Sequence, residues 1–213
     1  KVLNQQINSF TYNRKLVSDY FAEAIEFATE NGADVINMSV GFPQLVLTER
    51  FRNAVQSASD RQIPIIVAAG NNNKDLPVFP CSLSGVICVG SVDNRGVFSE
   101  FSNYGQSVDL VAPGESIVST YPMTQESRKL RIMGYERLKG TSQAAPQVAA
   151  VAAMIKLYHP NETLNELKAR LLCSTDELKG ENDKFALSGT VNAKKAVMGQ
   201  VPKCLIPDFK ENS

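Results

Sequence analysis

The sequence predicts an α/β protein with a doubly wound, mostly parallel sheet flanked by helices, and three observations support this prediction. Short apolar runs rich in β-branched residues alternate with longer segments whose apolar residues recur at helical spacing. The runs lack polar alternation, which is typical of parallel strands buried on both faces. The chain has 213 residues, 43% of them hydrophobic, enough for one domain with a core.

Helices are predicted where apolar residues form a stripe and where start or stop signals flank it. Asn31 and Gly32 stop the first helix, and Thr163 stands at capping-box spacing from Glu166 at the start of a later one. The predicted helices cover 17–32, 47–62, 141–158, a segment that begins near 163, and 191–198.

Four buried strands are predicted between these helices. Ligand sites in doubly wound sheets gather at the carboxyl ends of the strands, so the polar or small residues that follow each strand are candidates for function. The strands are expected within 33–40, 63–70, 85–92 and 107–112.

The charge balance excludes several classes of partner. Lys and Arg together number 22, as do Asp and Glu, so the net charge is 0. This balance gives no support for a nucleic-acid or anionic-membrane partner, and no apolar run is long enough for a membrane span. Cys81, Cys88, Cys173 and Cys204 fit no zinc spacing. They could be free and buried, which is the favoured interpretation, or some could be bridged.

Two polar positions have both a structural and a functional interpretation. Ser142 opens the longest helix behind Gly140, where its hydroxyl could cap the helix or act as a nucleophile beside free N–H groups. Asn71 follows a strand, where its carboxamide could belong to a polar turn or could donate to a developing oxyanion. Neither position is decided by its local pattern.

Taken together, four sequence blocks resolve this ambiguity. They are ADVINMSVG, VAAGN, FSNYG…VDLVAPGESIVST and GTSQAAPQVAAVAAM, in that order and at ordinary spacing. They resemble the subtilisin family of serine proteases, over residues 1 to about 198. Gln147 and Ala150 depart from the common family residues, although neither is a catalytic position. The resemblance implies that Ser142 is the nucleophile and that Asn71 is the side-chain donor of the oxyanion hole, with the Ser142 N–H as its partner.

The resemblance also implies a peptide-binding groove for a polypeptide substrate. One strand would pair with an extended substrate backbone, and small residues would form one wall of the primary specificity pocket. Val78 and Cys81 stand where many members carry glycine, and Asn72 stands where some carry an acidic residue. The pocket is therefore expected to be uncharged and narrow, and to take small or medium apolar side chains. The pairing strand is Ser39, Val40 and Gly41, and the wall is Ala68, Ala69 and Gly70.

Two further positions match family features. Pro80 matches a proline that is often cis, and Asp109 matches a position that often helps to bind a cation with carbonyls of the 83–86 loop. One carboxylate with carbonyls suits calcium. The alternative for Asp109 is an exposed residue at a strand end. No cofactor is expected for the chemistry, and a structural calcium ion is possible.

The usual proton acceptor is missing from these residues. The family mechanism needs a His to take the serine proton and an Asp to orient that His. His159 is the one histidine in the sequence, and it lies at the far end of the helix that Ser142 opens. At 1.5 Å per residue it is about 25 Å from the serine, far beyond hydrogen-bond reach. His159 is instead expected to end that helix.

The sequence therefore predicts a serine endopeptidase whose Asp and His come from a companion N-terminal fragment. Residues 1–3 resemble a core strand that follows those segments in the family. Residues 1–198 are thus expected to form the C-terminal portion of the catalytic domain, and residues 199–213 an extension. By resemblance alone, zymogen processing, a secreted location and a propeptide or inhibitor partner are also expected.

Two other functions compete with this prediction. A degenerate protease could bind peptides without cutting them, although intact Ser142, Asn71 and Gly41 argue against such decay. A serine–lysine dyad could use Lys139 as its base, although a solvated loop lysine is the simpler interpretation of that residue.

Overall fold

A computed structural model describes residues 14–41, 47–75, 79–123, 134–179 and 186–199 of the chain. The predicted strand at residues 1–3, the pocket residue Val78 and the extension beyond Gly199 lie outside the described residues.

The predicted parallel sheet is confirmed. Its four strands run in the order β1-β2-β3-β4, and each neighbouring pair is parallel. Ile36 lies opposite Ile65, and Ile65 lies opposite Val86, so the first three strands start at the same level. The strands are β1 (Ile36–Met38), β2 (Ile65–Ala68), β3 (Val86–Val92) and β4 (Leu110–Pro113).

Helices pack on both faces of this sheet, as predicted. The first two helices share one buried cluster with the sheet, and the last three share the other. The long helix contacts all four strands of this sheet, and its first turn is hydrogen-bonded to residues that follow β1 and β2. The helices are α1 (Arg14–Glu30), α2 (Glu49–Asp60), α3 (Thr141–Tyr158), α4 (Leu164–Cys173) and α5 (Ala193–Met198).

Continuous apolar strands are explained by this two-sided packing. In β2, Ile65 and Val67 belong to the cluster with α1 and α2, whereas Ile66 and Ala68 belong to the cluster with α3 to α5. Successive side chains of a strand point to opposite faces. Both faces of this sheet therefore require apolar side chains.

The predicted start of α4 is confirmed in detail. The Thr163 hydroxyl accepts a hydrogen bond from the Glu166 backbone N–H, and the Glu166 carboxylate accepts one from the Thr163 N–H. This reciprocal pair satisfies two N–H groups that a helix start leaves without partners. His159 ends α3, as expected, and its N–H donates to Ile155.

One pair of strands was not predicted. β5 (Ile117–Thr120) and β6 (Tyr135–Leu138) form an antiparallel ladder outside the main sheet. All eight of their residues are exposed or half-buried, so they lack the apolar run by which the other strands were found. β6 leads directly into Gly140, whose N–H donates to the Gly114 carbonyl at 2.8 Å.

The favoured interpretation of the cysteines as free thiols is wrong. A disulfide joins Cys81 to Cys88, with 5.0 Å between their Cα atoms. Cys173 is also disulfide-bonded, and Cys204 lies outside the described residues. No described helix combines the length and the apolar character needed to cross a membrane.

Candidate active site

The strand ends and the start of α3 meet at one edge of the sheet. Ser39 follows β1, and Gly70 and Asn71 follow β2. All three are bonded to the first turn of α3, through Thr141 or Ser142. The sheet order makes this possible, because β1 and β2 are parallel neighbours whose carboxyl ends lie side by side.

Ser142 is a half-buried residue in the first turn of α3. Its hydroxyl donates to the Ser39 carbonyl at 3.3 Å. The N-cap position belongs to Gly140, which has no side chain, and the first helical N–H group, that of Thr141, donates to Asn71 Oδ1 instead. The interpretation of Ser142 as a capping residue is therefore wrong, and its hydroxyl lies in the first turn between two N–H groups, of Thr141 and Gln143, that already have acceptors.

Pro146 creates a second bond between Ser39 and the helix. Since proline has no N–H, the Ser142 carbonyl lacks the donor that residue i+4 normally supplies. The Ser39 hydroxyl donates to that carbonyl instead, at 3.0 Å. Ser39 and Ser142 are thus bonded reciprocally, each through its hydroxyl and its carbonyl, and the end of β1 is tied to the helix start.

This pairing gives a direct prediction. Ser39→Ala should lower the free energy of unfolding by about 1 kcal/mol, because the Ser142 carbonyl loses its donor. Pro146→Ala supplies the missing N–H, so it should recover most of this loss when added to Ser39→Ala. Urea denaturation of the parent, both single variants and the double variant measures the coupling. If the changes in unfolding free energy of the two single variants simply add in the double variant, the residue-146 N–H does not replace the Ser39 hydroxyl as donor to the Ser142 carbonyl.

The Asn71 carboxamide is held in one orientation. Its Oδ1 accepts from the Thr141 N–H at 2.9 Å and from the Thr141 hydroxyl at 3.0 Å. The same hydroxyl accepts from the Gly70 N–H at 3.1 Å, which leaves it to donate to Asn71. Because its oxygen is engaged twice, the amide must present its Nδ2 hydrogens outward. Asn71 is exposed, and Nδ2 has no acceptor among the described residues.

Gly140 keeps the space beside this amide open. Its φ of 148° is a backbone conformation that other residues rarely adopt. A Cβ atom at this position would lie 3.3 Å from Asn71 Nδ2 and 2.8 Å from Gln143 Oε1. A side chain at residue 140 would therefore crowd the donor as well as strain the turn.

The predicted pocket wall lies next to Asn71, and a buried side chain braces it from behind. Ala68 and Ala69 are almost fully buried. Asn103 Nδ2 donates to the Ala69 carbonyl at 2.9 Å, while its Oδ1 accepts from the N–H groups of Asn72 and Lys74. Sequence reasoning did not assign a role to Asn103. The one sequence signal for such a role was that Asn103 belongs to the FSNYG block. That block is far along the chain from the loop that Asn103 braces.

Cys81 lies behind this wall and not on its surface. Its side chain is 1% exposed, and its sulfur is bonded to Cys88 in β3. The sulfur lies 3.7 Å from the Ala68 carbonyl, so it acts on the wall through packing. In the strand predicted to pair with substrate, Val40 packs against the core and Gly41 is exposed.

The proton acceptors considered in the sequence lie elsewhere. His159 stands at the far end of α3, where its Nε2–H donates to the Val197 carbonyl at 2.8 Å. The Lys139 ammonium lies 5.8 Å from the centroid of the Phe101 ring. Among the described residues, the only hydrogen-bond partner of the Ser142 hydroxyl is the Ser39 carbonyl. The predicted cis bond before Pro80 is confirmed.

The surroundings of Asp109 do not fit a calcium site. Its fully buried carboxylate accepts from the Cys88 N–H at 2.7 Å and forms a salt bridge with Lys168 at 3.4 Å. A lysine ammonium thus already compensates the negative charge of this carboxylate. The alternative of an exposed Asp109 is also wrong, since this side chain joins the sheet to α4.

Loss of this lysine is expected to destabilise the protein. Lys168→Met removes the ammonium group beside a buried carboxylate and should cost about 3 kcal/mol of unfolding free energy. Lys195→Met is the matched control, because it breaks a salt bridge between two half-exposed partners, Lys195 and Asp176, and should cost under about 1 kcal/mol. Urea denaturation compares the two. Equal losses, or recovery of the Lys168 variant by added calcium, would contradict this description of Asp109.

These features are suited to acyl transfer. A serine hydroxyl lies at a helix start, and an oriented carboxamide N–H group lies beside it. Free N–H groups and the positive helix end stabilise an anion that forms there. This combination on a parallel, doubly wound sheet is typical of serine hydrolases of the α/β class.

Comparison with known proteins identifies the family within that class. The Subtilase family (Peptidase_S8) matches residues 6–190, and the chain belongs to this family. M-protease of Shouchella clausii (strain KSM-K16) is 34% identical over 175 residues, which are 82% of this chain and 43% of the relative. Subtilisin BL of Lederbergia lenta is 33% identical over 175 residues, covering 82% of this chain and 60% of the relative.

Solved structures support the same assignment. A protease from Pseudoalteromonas arctica PAMC 21717 superposes with a TM-score of 0.75 at 30% identity, covering 85% of this chain and 58% of the other. The prenylagaramide maturation protease PagA superposes with a TM-score of 0.74 at 27% identity, covering 90% and 70%. The predicted resemblance and fold are confirmed, and the chain spans about half the length of the curated relatives that it matches.

Proposed function

We propose that this chain carries the nucleophile and the oxyanion hole of a serine endopeptidase. The observation that supports this most directly is the orientation of Asn71, whose Oδ1 is engaged twice by Thr141 while its Nδ2 is turned outward. Ser142 follows Thr141, so the donor and the hydroxyl belong to one bonded unit. A polar turn alone would not require that orientation.

The reaction proceeds in two displacements. Ser142 Oγ leaves its bond to the Ser39 carbonyl and attacks the carbonyl carbon of the scissile peptide bond, while a base takes its proton. The oxyanion that forms is held by Asn71 Nδ2 and the Ser142 N–H. Collapse expels the amine, which receives that proton, and leaves an acyl-enzyme that water hydrolyses. These steps use protein groups and water alone.

The base and its orienting carboxylate come, in this proposal, from a companion N-terminal fragment that carries the family's Asp and His. Two observations support an outside source. The one histidine of the sequence, His159, is separated from Ser142 by the whole of α3. The relatives are about twice as long as the part that this chain matches.

The substrate is an extended polypeptide that pairs with Ser39, Val40 and Gly41. The reciprocal bonds between Ser39 and Ser142 hold this segment beside the nucleophile, which supports its use as a substrate strand. The pocket beside Ala68, Ala69 and Gly70 takes small or medium apolar side chains. Cleavage of a peptide library chiefly after Lys or Arg would contradict this specificity.

Membership of the family supports the remaining parts of this proposal. Residues 1–198 form the C-terminal portion of a subtilisin-like catalytic domain, and residues 199–213 form an extension. The enzyme works in a secreted or extracytoplasmic location, after zymogen processing, and is controlled by a propeptide or an inhibitor. No calcium site is proposed at Asp109, because the Lys168 ammonium already forms a salt bridge with its carboxylate.

Active-site labelling tests the proposed function. A fluorophosphonate probe should label Ser142 strongly when the chain is bound to its companion fragment, and weakly when the chain is isolated, because only the complex contains the base. Mass spectrometry of the labelled peptide identifies the residue. Absence of labelling in a complex shown to contain both fragments would exclude the enzyme, and equal labelling of the isolated chain would exclude an outside base.

The rival is a peptide-binding protein that has lost catalysis. It predicts that the complex binds extended peptides with measurable affinity but neither cleaves them nor reacts with the probe. The oriented Asn71 argues against this rival, because a binding groove has no need of an N–H group aimed beside a serine hydroxyl.

A further inference from the structure

Gln143 directly follows the proposed nucleophile, and its side chain is not used by the mechanism above. The residue is half-buried. Its Oε1 atom is fully buried and has no hydrogen-bond partner in the part of the chain that the structure describes. Buried polar atoms are nearly always paired, so an unpaired one at a reactive centre calls for a functional explanation.

The buried end of this amide faces the same space as the Asn71 donor. A Cβ atom built on Gly140 would lie 2.8 Å from Gln143 Oε1 and 3.3 Å from Asn71 Nδ2. The two amide ends are therefore within about 6 Å of each other, a span that one oxygen can bridge with hydrogen bonds of about 3 Å. Gly140 has no side chain, so this space stays open.

The identity of the group that enters this space decides which end of the Gln143 amide should point inward. A half-turn about the last side-chain torsion exchanges Oε1 and Nε2, and the two orientations are nearly isosteric. Oε1 has no hydrogen-bond partner there among the described residues. The group that arrives during peptide cleavage is a developing oxyanion, which accepts hydrogen bonds and repels a carbonyl oxygen. The anion therefore favours the orientation with Nε2 inward.

We propose that Gln143 is a further catalytic residue, whose Nε2 donates a third hydrogen bond to the oxyanion beside Asn71 Nδ2 and the Ser142 N–H. This inference rests on the proposed function. It involves no covalent change at Gln143, only a rotation of its amide and one hydrogen bond made as charge develops on the substrate oxygen. Such a bond strengthens in the transition state and therefore raises kcat more than it lowers KM.

Two variants of similar size separate the possible roles of this side chain. Gln143→Met removes all hydrogen bonding, and Gln143→Glu keeps the acceptors but removes the donor. In the complex with the companion fragment, both should lower kcat by about tenfold or more with little change in KM. The Glu variant should be the slower of the two at neutral pH, because its carboxylate faces the oxyanion. Affinity for a peptide aldehyde, which forms an oxyanion when bound, should fall in parallel with kcat/KM.

Gln147→Met is the matched control on the same helix. Its amide nitrogen already donates to the carbonyls of Pro113 and Gln143, at 2.6 and 3.0 Å. Loss of the Gln147 amide should lower the Tm of the protein without changing the ratio of its affinity for the aldehyde to its affinity for the substrate. This ratio distinguishes a donor to the oxyanion from a side chain that matters only for packing.

The outcomes are distinguishable. If the Glu variant keeps full kcat while the Met variant loses it, Gln143 acts as an acceptor and the donor role is overturned. If both variants match the parent, or if aldehyde affinity is unchanged while kcat falls, the inference is also overturned. If the parent complex neither cleaves peptides nor reacts with the fluorophosphonate, the proposed function itself fails, and this inference fails with it.

Discussion

Ser142→Ala is expected to reduce the peptidase kcat of the complex by about 10⁶-fold, the scale of loss that serine proteases show without their nucleophile. The change should leave KM nearly unaltered, because a single hydroxyl contributes little to peptide binding. Stability should also be nearly unaltered, since the hydroxyl makes one long bond, of 3.3 Å, to the Ser39 carbonyl. Steady-state kinetics and thermal denaturation measure the three quantities.

Ser57→Ala is the control for this prediction, because Ser57 is exposed on α2, away from the strand ends. It should change neither kcat nor fluorophosphonate labelling. A Ser142→Ala complex that still cleaves peptides at more than about a thousandth of the parent rate would exclude Ser142 as the nucleophile, because the residual catalysis without a triad is far smaller.

Asn71→Ala is expected to produce the second-largest effect. The kcat should fall by about 10²–10³-fold, the range seen when a protease of this type loses its oxyanion side-chain donor. KM should change little, because the bond forms mainly in the transition state. Stability should fall by about 1 kcal/mol, since the Thr141 N–H loses its acceptor. Stopped-flow measurement of the acylation burst and urea denaturation separate these effects.

Two further variants divide the roles of the Asn71 amide. Asn71→Asp keeps an oxygen for Thr141 but puts negative charge beside the oxyanion, so its kcat should be at least as low as that of Asn71→Ala. Thr141→Val keeps the shape of Thr141 but removes the hydroxyl that orients Asn71 and accepts from Gly70, so it should lower kcat less than Asn71→Ala. Parent-like activity of the Asp variant would exclude the amide as a donor.

Local pattern was a good guide to the secondary structure of the main sheet and its helices. The β2 run is apolar throughout because its alternate residues enter two different cores. The start of α4 was visible because Thr163 and Glu166 satisfy each other within one turn. Elements whose stability comes from neighbours close in sequence, or from continuous burial, leave such local signals. β5 and β6 leave none, because they are mostly exposed and, within the described part of the chain, pair only with each other.

The candidate site depended on contacts between residues far apart in the chain. Ser142 had the local pattern of a helix cap, and only its bonds to Ser39 show that the hydroxyl is used otherwise. For Asp109 the sequence left open a cation site or an exposed residue, but the structure buries its carboxylate beside Lys168, from a helix that follows much later in the chain. For Cys81 and Cys88 the sequence favours buried thiols but leaves a bridge open, because no spacing rule distinguishes a bridged pair from two buried neighbours.

The sequence by itself determined the family, the sheet with its order of strands and helices along the chain, and the absence of a usable histidine near Ser142. Apolar periodicity, capping residues and short motifs carry this information, because each acts within a few neighbouring residues. Only the tertiary structure decided which way the Asn71 amide points, what binds the Ser142 carbonyl beside Pro146, and that Gln143 Oε1 is buried without a partner. Those properties depend on distances between β1, β2 and α3, and such distances exist only once the strands lie side by side.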